Sequence, residues 1–136
     1  MYSNTIDSCG TGILLSADTA SSRYYNNLVT NCTTDWSGSA GANNDNNVTS
    51  DATSPNTAHR SKTITYTDAA GGDFSTEDAD VVDLGTDLSA DSIYPITTDI
   101  IGVTRSSTPT IGAFEFAASG NTLTADSGSY AYTGTD

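Results

Sequence analysis

The chain has 136 residues and a formal net charge of −13. Thr, Ser, Asp, Gly and Asn make up more than half of it, while Leu, Ile, Val and Phe are sparse, Glu and Lys are scarce and Gln is absent. This excludes an ordinary helical domain, because the good helix formers are nearly missing, and leaves disorder or an all-β fold rich in turns. Asp and Glu number 17 against 4 for Lys and Arg. That balance gives no basic footprint for nucleic acid and no attraction to an anionic membrane surface. There is no apolar run long enough to span a bilayer, so membrane insertion is not expected.

Met1 to Asn4 has neither the charged region nor the apolar core of a signal peptide. Ser129 to Asp136 alternates like a strand and then stops. Both ends read as those of a segment of a longer polypeptide, with a complete short protein as the alternative.

The first element in chain order is a repeat. Tyr2-Ser3-Asn4-Thr5-Ile6-Asp7-Ser8-Cys9 aligns with Tyr25-Asn26-Asn27-Leu28-Val29-Thr30-Asn31-Cys32, with one constant offset from the first Tyr to the last Cys. A period between roughly 20 and 30 residues, built of short strands, is the signature of a solenoid. Without helical periodicity the solenoid should be a parallel β-helix. One coil cannot bury its apolar side alone, but coils stacked about 4.8 Å apart pair their strands and share a narrow core. Few inward apolar residues per coil then suffice. Ile6 and Val29 fall in one inward column, and Ile13-Leu14-Leu15 reads as another short strand. Asn4 and Asn27 stack as an amide ladder. A third coil is expected to start at Asn46-Asn47-Val48-Thr49, on a weaker match. Cys9 and Cys32 share a column; stacked buried thiols are the plainer reading and a disulfide the alternative.

Residues 33–62 read as a loop excursion. Within it Trp36 covers apolar surface in one reading and is an exposed sugar-stacking platform in another. Tyr24, Tyr25 and Tyr66 are further stacking candidates. His59, the single histidine, reads as a surface residue. Thr63 to Thr67 alternates cleanly and is predicted to be a strand. Glu77, Asp78, Asp80 and Asp83 form a dense acidic turn. Solvation is its plain reading and a Ca2+ site the alternative, since Ca2+ takes several oxygen ligands. Ca2+ is the one cofactor the sequence suggests.

Four segments then follow in order: Gly72-Asp73-Phe74-Ser75, Val81 to Leu88, Asp99-Ile100-Ile101-Gly102-Val103-Thr104-Arg105 and Ile111-Gly112-Ala113-Phe114-Glu115-Phe116. Together they resemble the C-terminal end of right-handed parallel β-helix proteins of the pectate-lyase-like superfamily. The resemblance spans roughly residues 1–116. The tail from Ala118 to Asp136 is similar to segments of virion proteins of marine bacteriophages. The resemblance implies an all-β fold made of the terminal coils of a right-handed parallel β-helix, closed by a C-terminal β cap. Residues 1–62 are the coils with their loop excursion, 63–117 the final coil and cap, and 118–136 a β tail or linker. In the cap, Asp99 is expected to pair with Arg105 across the turn at Gly102, and Arg105 to bond carbonyls at the helix end. Gly112 supplies a conformation that a side chain disfavours. Glu115 lies in the closing strand, and Phe74, Phe114 and Phe116 plug the apolar end of the last coil.

No catalytic constellation emerges. Glycosidases need paired carboxyls roughly 5 to 9.5 Å apart, and neither Asp7 with Thr30 nor Asp18 with Ser22 stacks into such a pair. One histidine gives no secure Ser-His-Asp set. The resemblance therefore implies a structural and interaction module of an extracellular or virion-surface protein, such as a phage tail spike, fibre or appendage. A carbohydrate-binding or polysaccharide-degrading β-helix with its active site outside this chain is one alternative, and a secreted bacterial adhesin another. The partners expected are further copies of the chain, as a trimer or filament, and a cell-surface glycan.

Overall fold

The computed structural model describes residues 1–17 and 21–116. Asp18 and the tail 118–136 lie outside the described residues. The strands are short: β1 (Thr5–Asp7), β2 (Thr11–Leu14), β3 (Tyr24–Tyr25), β4 (Leu28–Thr30), β5 (Thr34–Ser37), β6 (Asn44–Asp45) and β7 (Val48–Thr49). They pair in parallel in three small sheets, ordered β1-β4-β7, β2-β5 and β3-β6. Among the described residues the chain is thus all-β with short parallel strands, an arrangement consistent with β-helix-like coils. Thr5 stands beside Leu28, Ile6 beside Val29 and Ile13 beside Trp36. Their shared offset is that of Cys9 from Cys32, a sequence separation of 23. The next step is shorter, a separation of 20 from Asn27 to Asn47. It sets Leu28 beside Val48 and Tyr24 beside Asn44. The weaker third match thus continues the parallel stacking, through β6 and β7. The stretch from residue 33, expected to be irregular, holds β5, β6 and β7.

Single residues in the left-handed region turn the chain at matching positions. Ser3, Asn26 and Asn46 have φ of 50°, 57° and 51°, and Ser8 and Asn31 have 54° and 56°. Asn adopts this conformation more readily than most residues, which gives the abundance of Asn one structural meaning. The next residue in each coil builds the ladder. Asn4 Nδ2 donates to Asn27 Oδ1 at 2.9 Å, Asn27 Nδ2 to Asn47 Oδ1 at 2.7 Å, and Asn47 Nδ2 to Asn56 Oδ1 at 3.0 Å. Asn27 and Asn47 are fully buried, so each amide replaces the water bonds that burial removes.

The core lies in two clusters on opposite faces of β4, as alternation along a strand requires. Val29 packs inside the coils with Ile13 and Trp36, and Ile6, Leu15 and Cys32 flank them. Leu28 faces outward with Val48 and is covered by Val81 and Ile111, with Ile64 and Tyr66 at the margin. Burying each of these aliphatic side chains contributes about 1.5–3 kcal/mol. Segment 64–111 thus lies along the outside of the central sheet.

The structure departs from three expectations. Cys9 and Cys32 are joined by a disulfide, with Cα atoms 4.3 Å apart; the shared column brings the two side chains together. Thr63 to Thr67 alternates in burial, with Ile64 and Tyr66 inward, yet forms no strand. Its backbone partners are scattered, with Lys62 N donating to Thr49 O and Thr67 N to Ser75 O. His59 is half-buried, its Nε2 3.1 Å from Asn46 Oδ1, and burial lowers its pKa.

Candidate functional site

Of the stacking candidates, Trp36 is 2% exposed and belongs to the inner core. Register with Ile13 places it there, so its ring offers no outward platform. Tyr24 meets Trp36 edge-on at 5.6 Å between ring centres. Tyr25 meets Tyr2 edge-on at 5.8 Å. Tyr66 sits on the outer face, its hydroxyl 2.7 Å from Thr30 Oγ1 and its ring edge-on to Phe74. Burial pushes the Tyr66 phenol up to about 12, with Asp7 and Asp35 adding to the rise against the Thr30 hydrogen bond. The four candidates therefore do not share one surface.

The acidic turn does not converge either. Asp80 pairs with Lys62 at 2.7 Å. Asp78 Oδ1 accepts from Asp80 N at 3.0 Å, Glu77 is exposed, and Asp83 takes a left-handed φ of 55°. Among the described residues no three His, Cys, Asp or Glu side chains meet in a metal-binding group.

The expected cap residues do form one network, with different partners from those anticipated. Asp99 Oδ1 accepts from the backbone of Ile101 and Val103 at 3.0 and 2.8 Å, and its Oδ2 from Glu115 N at 2.9 Å. Gly102, at φ 92°, closes that turn. The expected Asp99–Arg105 pair is replaced by Arg105 Nη1 to Glu115 Oε2 at 3.3 Å, with both side chains almost fully buried. Arg105 also donates to the carbonyls of Thr110 (2.9 Å) and Gly112 (2.7 Å). Its Nε has no hydrogen-bond partner among the described residues. Phe114 and Phe116 are half-buried and, like Phe74, lie outside both apolar clusters. They plug no coil; Val81 and Ile111 cover the sheet instead. Ala113 N donates to Thr5 Oγ1 at 2.9 Å, which ties this network to the first coil.

The two ends of the coil stack differ. At the third coil the strand edge is filled. Lys62 N donates to Thr49 O at 3.0 Å, Ser61 N to Asp51 O at 2.7 Å and Ser54 Oγ to Asn47 O. Trp36 N and Asp35 N are taken by Thr53 Oγ1 and Asp51 Oδ2, and Asn56 ends the ladder. Residues 51–62, expected to leave the stack as part of a loop, close it. At the first coil β1 is an edge strand. Leu28 N bonds Asn4 O, and Ser8 N bonds Thr30 O. Alternation then turns the amides and carbonyls of Thr5 and Asp7 away from β4.

Beside this edge lies an aromatic hollow that the sequence reading missed. It measures about 410 Å3, and Met1, Tyr2, Arg23, Ile93, Tyr94 and Ile96 are among the residues that line it. Tyr2 meets Tyr94 edge-on at 6.2 Å. Ile93 and Tyr94 are 52% and 66% exposed. Arg23 pairs with Asp91 at 2.8 Å, and Asp91 accepts from Ile93 N and Tyr94 N, which fixes that loop. Tyr2 was visible as the first residue of the repeat, whereas the Ile93-Tyr94-Pro95-Ile96 run carries no periodic signal. Compared with protein-family models, curated proteins and solved structures, the chain matches none.

Proposed function

We propose that the chain is a structural and interaction module: coils of a right-handed parallel β-helix in an extracellular or virion-surface protein, such as a phage tail spike, fibre or appendage. The observation that carries the reading is the exposed apolar cluster of Ile93 and Tyr94 around Tyr2 and Met1, mounted on a braced coil stack. Exposed apolar patches of this kind mark association surfaces. A second copy of the chain is the occupant, and a trimer buries the cluster about its axis. The Cys9–Cys32 disulfide supports oxidising surroundings outside the cytosol.

A second reading is favoured by the same hollow. Tyr2 and Tyr94 present aromatic surface beside the Arg23 guanidinium, which suits a sugar ring with an acidic or hydroxyl group. The glycan reading thus moves from Trp36 to Tyr94.

Light scattering with small-angle X-ray scattering tests the first reading. The expected result is a multiple of the 14.0 kDa chain mass, reduced to one chain by Tyr94→Asp. A single-chain mass at every concentration overturns it. Binding to acidic polysaccharide that is lost in Tyr94→Ala, in a chain that stays monomeric, supports the second reading.

A further inference from the structure

On its paired side, β1 meets β4, which sets Leu28, Val29 and Thr30 beside Thr5, Ile6 and Asp7. On its other side the backbone amides and carbonyls of Thr5 and Asp7 bond to no backbone group among the described residues. The side chains along this edge are of different kinds. Beside Thr5 runs an open groove of about 320 Å3, with Asn4, Ile96, Ile100 and Ala113 among the residues that line it. Ile100 is 70% exposed there. Ile6 ends the inner column and is only half-buried, whereas Val29 beside it is fully buried. The Asp7 carboxylate accepts from Ser8 Oγ, Thr30 Oγ1 and Asn31 Nδ2, all neutral donors. Among the described residues the ion pairs engage Asp91, Asp80 and Glu115, so no cation offsets Asp7.

We propose that the open edge of β1 docks an extended strand of a partner protein, one that presents two aliphatic residues followed by a lysine or arginine. This inference goes beyond the aromatic hollow and does not rest on its being occupied. Unpaired amides and carbonyls at a sheet edge are a template for an added strand. Residues side by side on neighbouring strands project to the same face. A strand added in the sense of β4 therefore sets its first aliphatic side chain over the groove beside Thr5. The second covers Ile6 and extends the inner column. The basic side chain faces Asp7 and supplies the cation that this carboxylate lacks. The long-range field acts in the same direction, because a chain of formal charge −13 draws a cationic segment. At this edge a second copy fits less well: two β1 strands paired with each other add like charge around Asp7 and bring no cation.

Amide hydrogen exchange on the full chain, with and without a capped peptide centred on Leu-Val-Lys, tests the docking. In the chain alone the amides of Thr5 and Asp7 are expected to exchange freely. Saturating peptide is expected to slow both about tenfold or more and to leave the amides of Leu28 and Val48 unchanged. A Leu-Val-Glu peptide is expected to bind at least about threefold more weakly. Asp7→Asn is expected to remove that preference, which a merely structural role for Asp7 would not do. Amides of Thr5 and Asp7 that are already slow in the chain alone overturn the proposal, whether that protection survives dilution or fades with it as for a second copy. Free exchange in the presence of the Leu-Val-Lys peptide overturns it too, as does equal slowing by both peptides with Asp7 in place.

Discussion

Leu28 and Val29 are consecutive residues of β4 that serve two different cores. Val29 is enclosed by the coils with Ile13 and Trp36, and Leu28 is enclosed by Val81 and Ile111 from the chain's second half. The central sheet is therefore buried on both faces. A chain with so few aliphatic residues gains by placing them where one short strand serves both. Buried parallel strands of this kind read as apolar runs rather than as alternation, and Leu28-Val29 is such a run in its shortest form. Thr30 extends it with a hydroxyl that donates to Asp7 Oδ1 at 2.6 Å.

The asparagine ladder predicts a gradient of cost along the stack. Asn27 lies in the middle, accepts from Asn4 and donates to Asn47. Asn27→Ala removes the side-chain bonds on both sides, leaving Asn4 Nδ2 with Tyr2 O and Asn47 Oδ1 with the amide of residue 27, and is expected to cost about 2 kcal/mol. Asn4→Ala acts at the half-buried end and is expected to cost about 1 kcal/mol. Urea unfolding of the two variants measures the difference, and equal losses would remove the ladder as a stabilising element.

Gly112 and Gly102 both have left-handed backbone, with φ of 112° and 92°. They differ in surroundings. A Cβ at Gly102 meets nothing within 4 Å, whereas one at Gly112 lies 2.7 Å from Thr5 Oγ1 and 3.4 Å from Leu28 Cβ. Gly102→Ala is expected to cost about 1–2 kcal/mol from conformation alone. Gly112→Ala adds overpacking against the sheet, for about 3 kcal/mol or more in total. In Thr5→Ala/Gly112→Ala the nearest atom is gone, so the double variant is expected to lose less than the two single losses added together. Strict additivity in thermal melts would show that the segment does not press on β1.

The coil register was legible in the sequence because it repeats. Tyr2/Tyr25, Asn4/Asn27, Ile6/Val29 and Cys9/Cys32 share one offset, and each pair is adjacent in space. The same offset links Ile13 to Trp36, a signal that places Trp36 in the core although its flanks look like a loop. The third coil was fainter because its step is shorter and puts Asp45 and Thr49 where Tyr25 and Val29 stood. The second half was legible only as a set of turns. Many of its contacts are isolated bonds between side chains and backbone, such as the reciprocal pair Asn26 Nδ2 to Thr86 O and Thr86 N to Asn26 Oδ1, each 2.8 Å. Such clamps leave no period. That is why the closing segments were expected at the end of the stack rather than along its side.

The Arg105–Glu115 pair predicts a large penalty for removing one charge. Arg105→Met leaves the Glu115 carboxylate buried with only the backbone of Ser106 and Thr110 as donors. The expected loss is about 3–5 kcal/mol. Glu115→Gln keeps an acceptor and relieves the unpaired charge, so Arg105→Met/Glu115→Gln is expected to be more stable than Arg105→Met. Chemical denaturation of the three variants gives the coupling, and a double variant weaker than Arg105→Met contradicts the pairing.

Tyr66 predicts an alkaline limit. Its phenol ionises at about 12 in the folded chain, above the ordinary value of 10.0. Between these values the unfolded state gives up a proton that the folded state keeps. Stability is therefore complete below about pH 10 and lost as pH rises towards about 12. The expected result is a thermal midpoint that falls over this window, with the fall reduced in Tyr66→Phe. An absorbance titration in which all tyrosines ionise together near 10 would contradict the burial of this ring against Thr30 and Phe74.

The disulfide tests the stacking of the first two coils directly. Cys9 and Cys32 are 23 residues apart, the same offset that brings Thr5 to Leu28. Closing a loop of that length in the unfolded chain is expected to contribute about 3 kcal/mol. Reduction, or the double substitution Cys9→Ser/Cys32→Ser, should lower the unfolding midpoint accordingly while the three sheets persist, since the ladder and the Leu28 cluster still hold the coils in register. Mass spectrometry of the untreated chain is expected to show both thiols blocked to alkylation until reduction. Two thiols that alkylate after unfolding without reductant would restore the stacked free cysteines suggested by the sequence and leave the register to the ladder and the core alone.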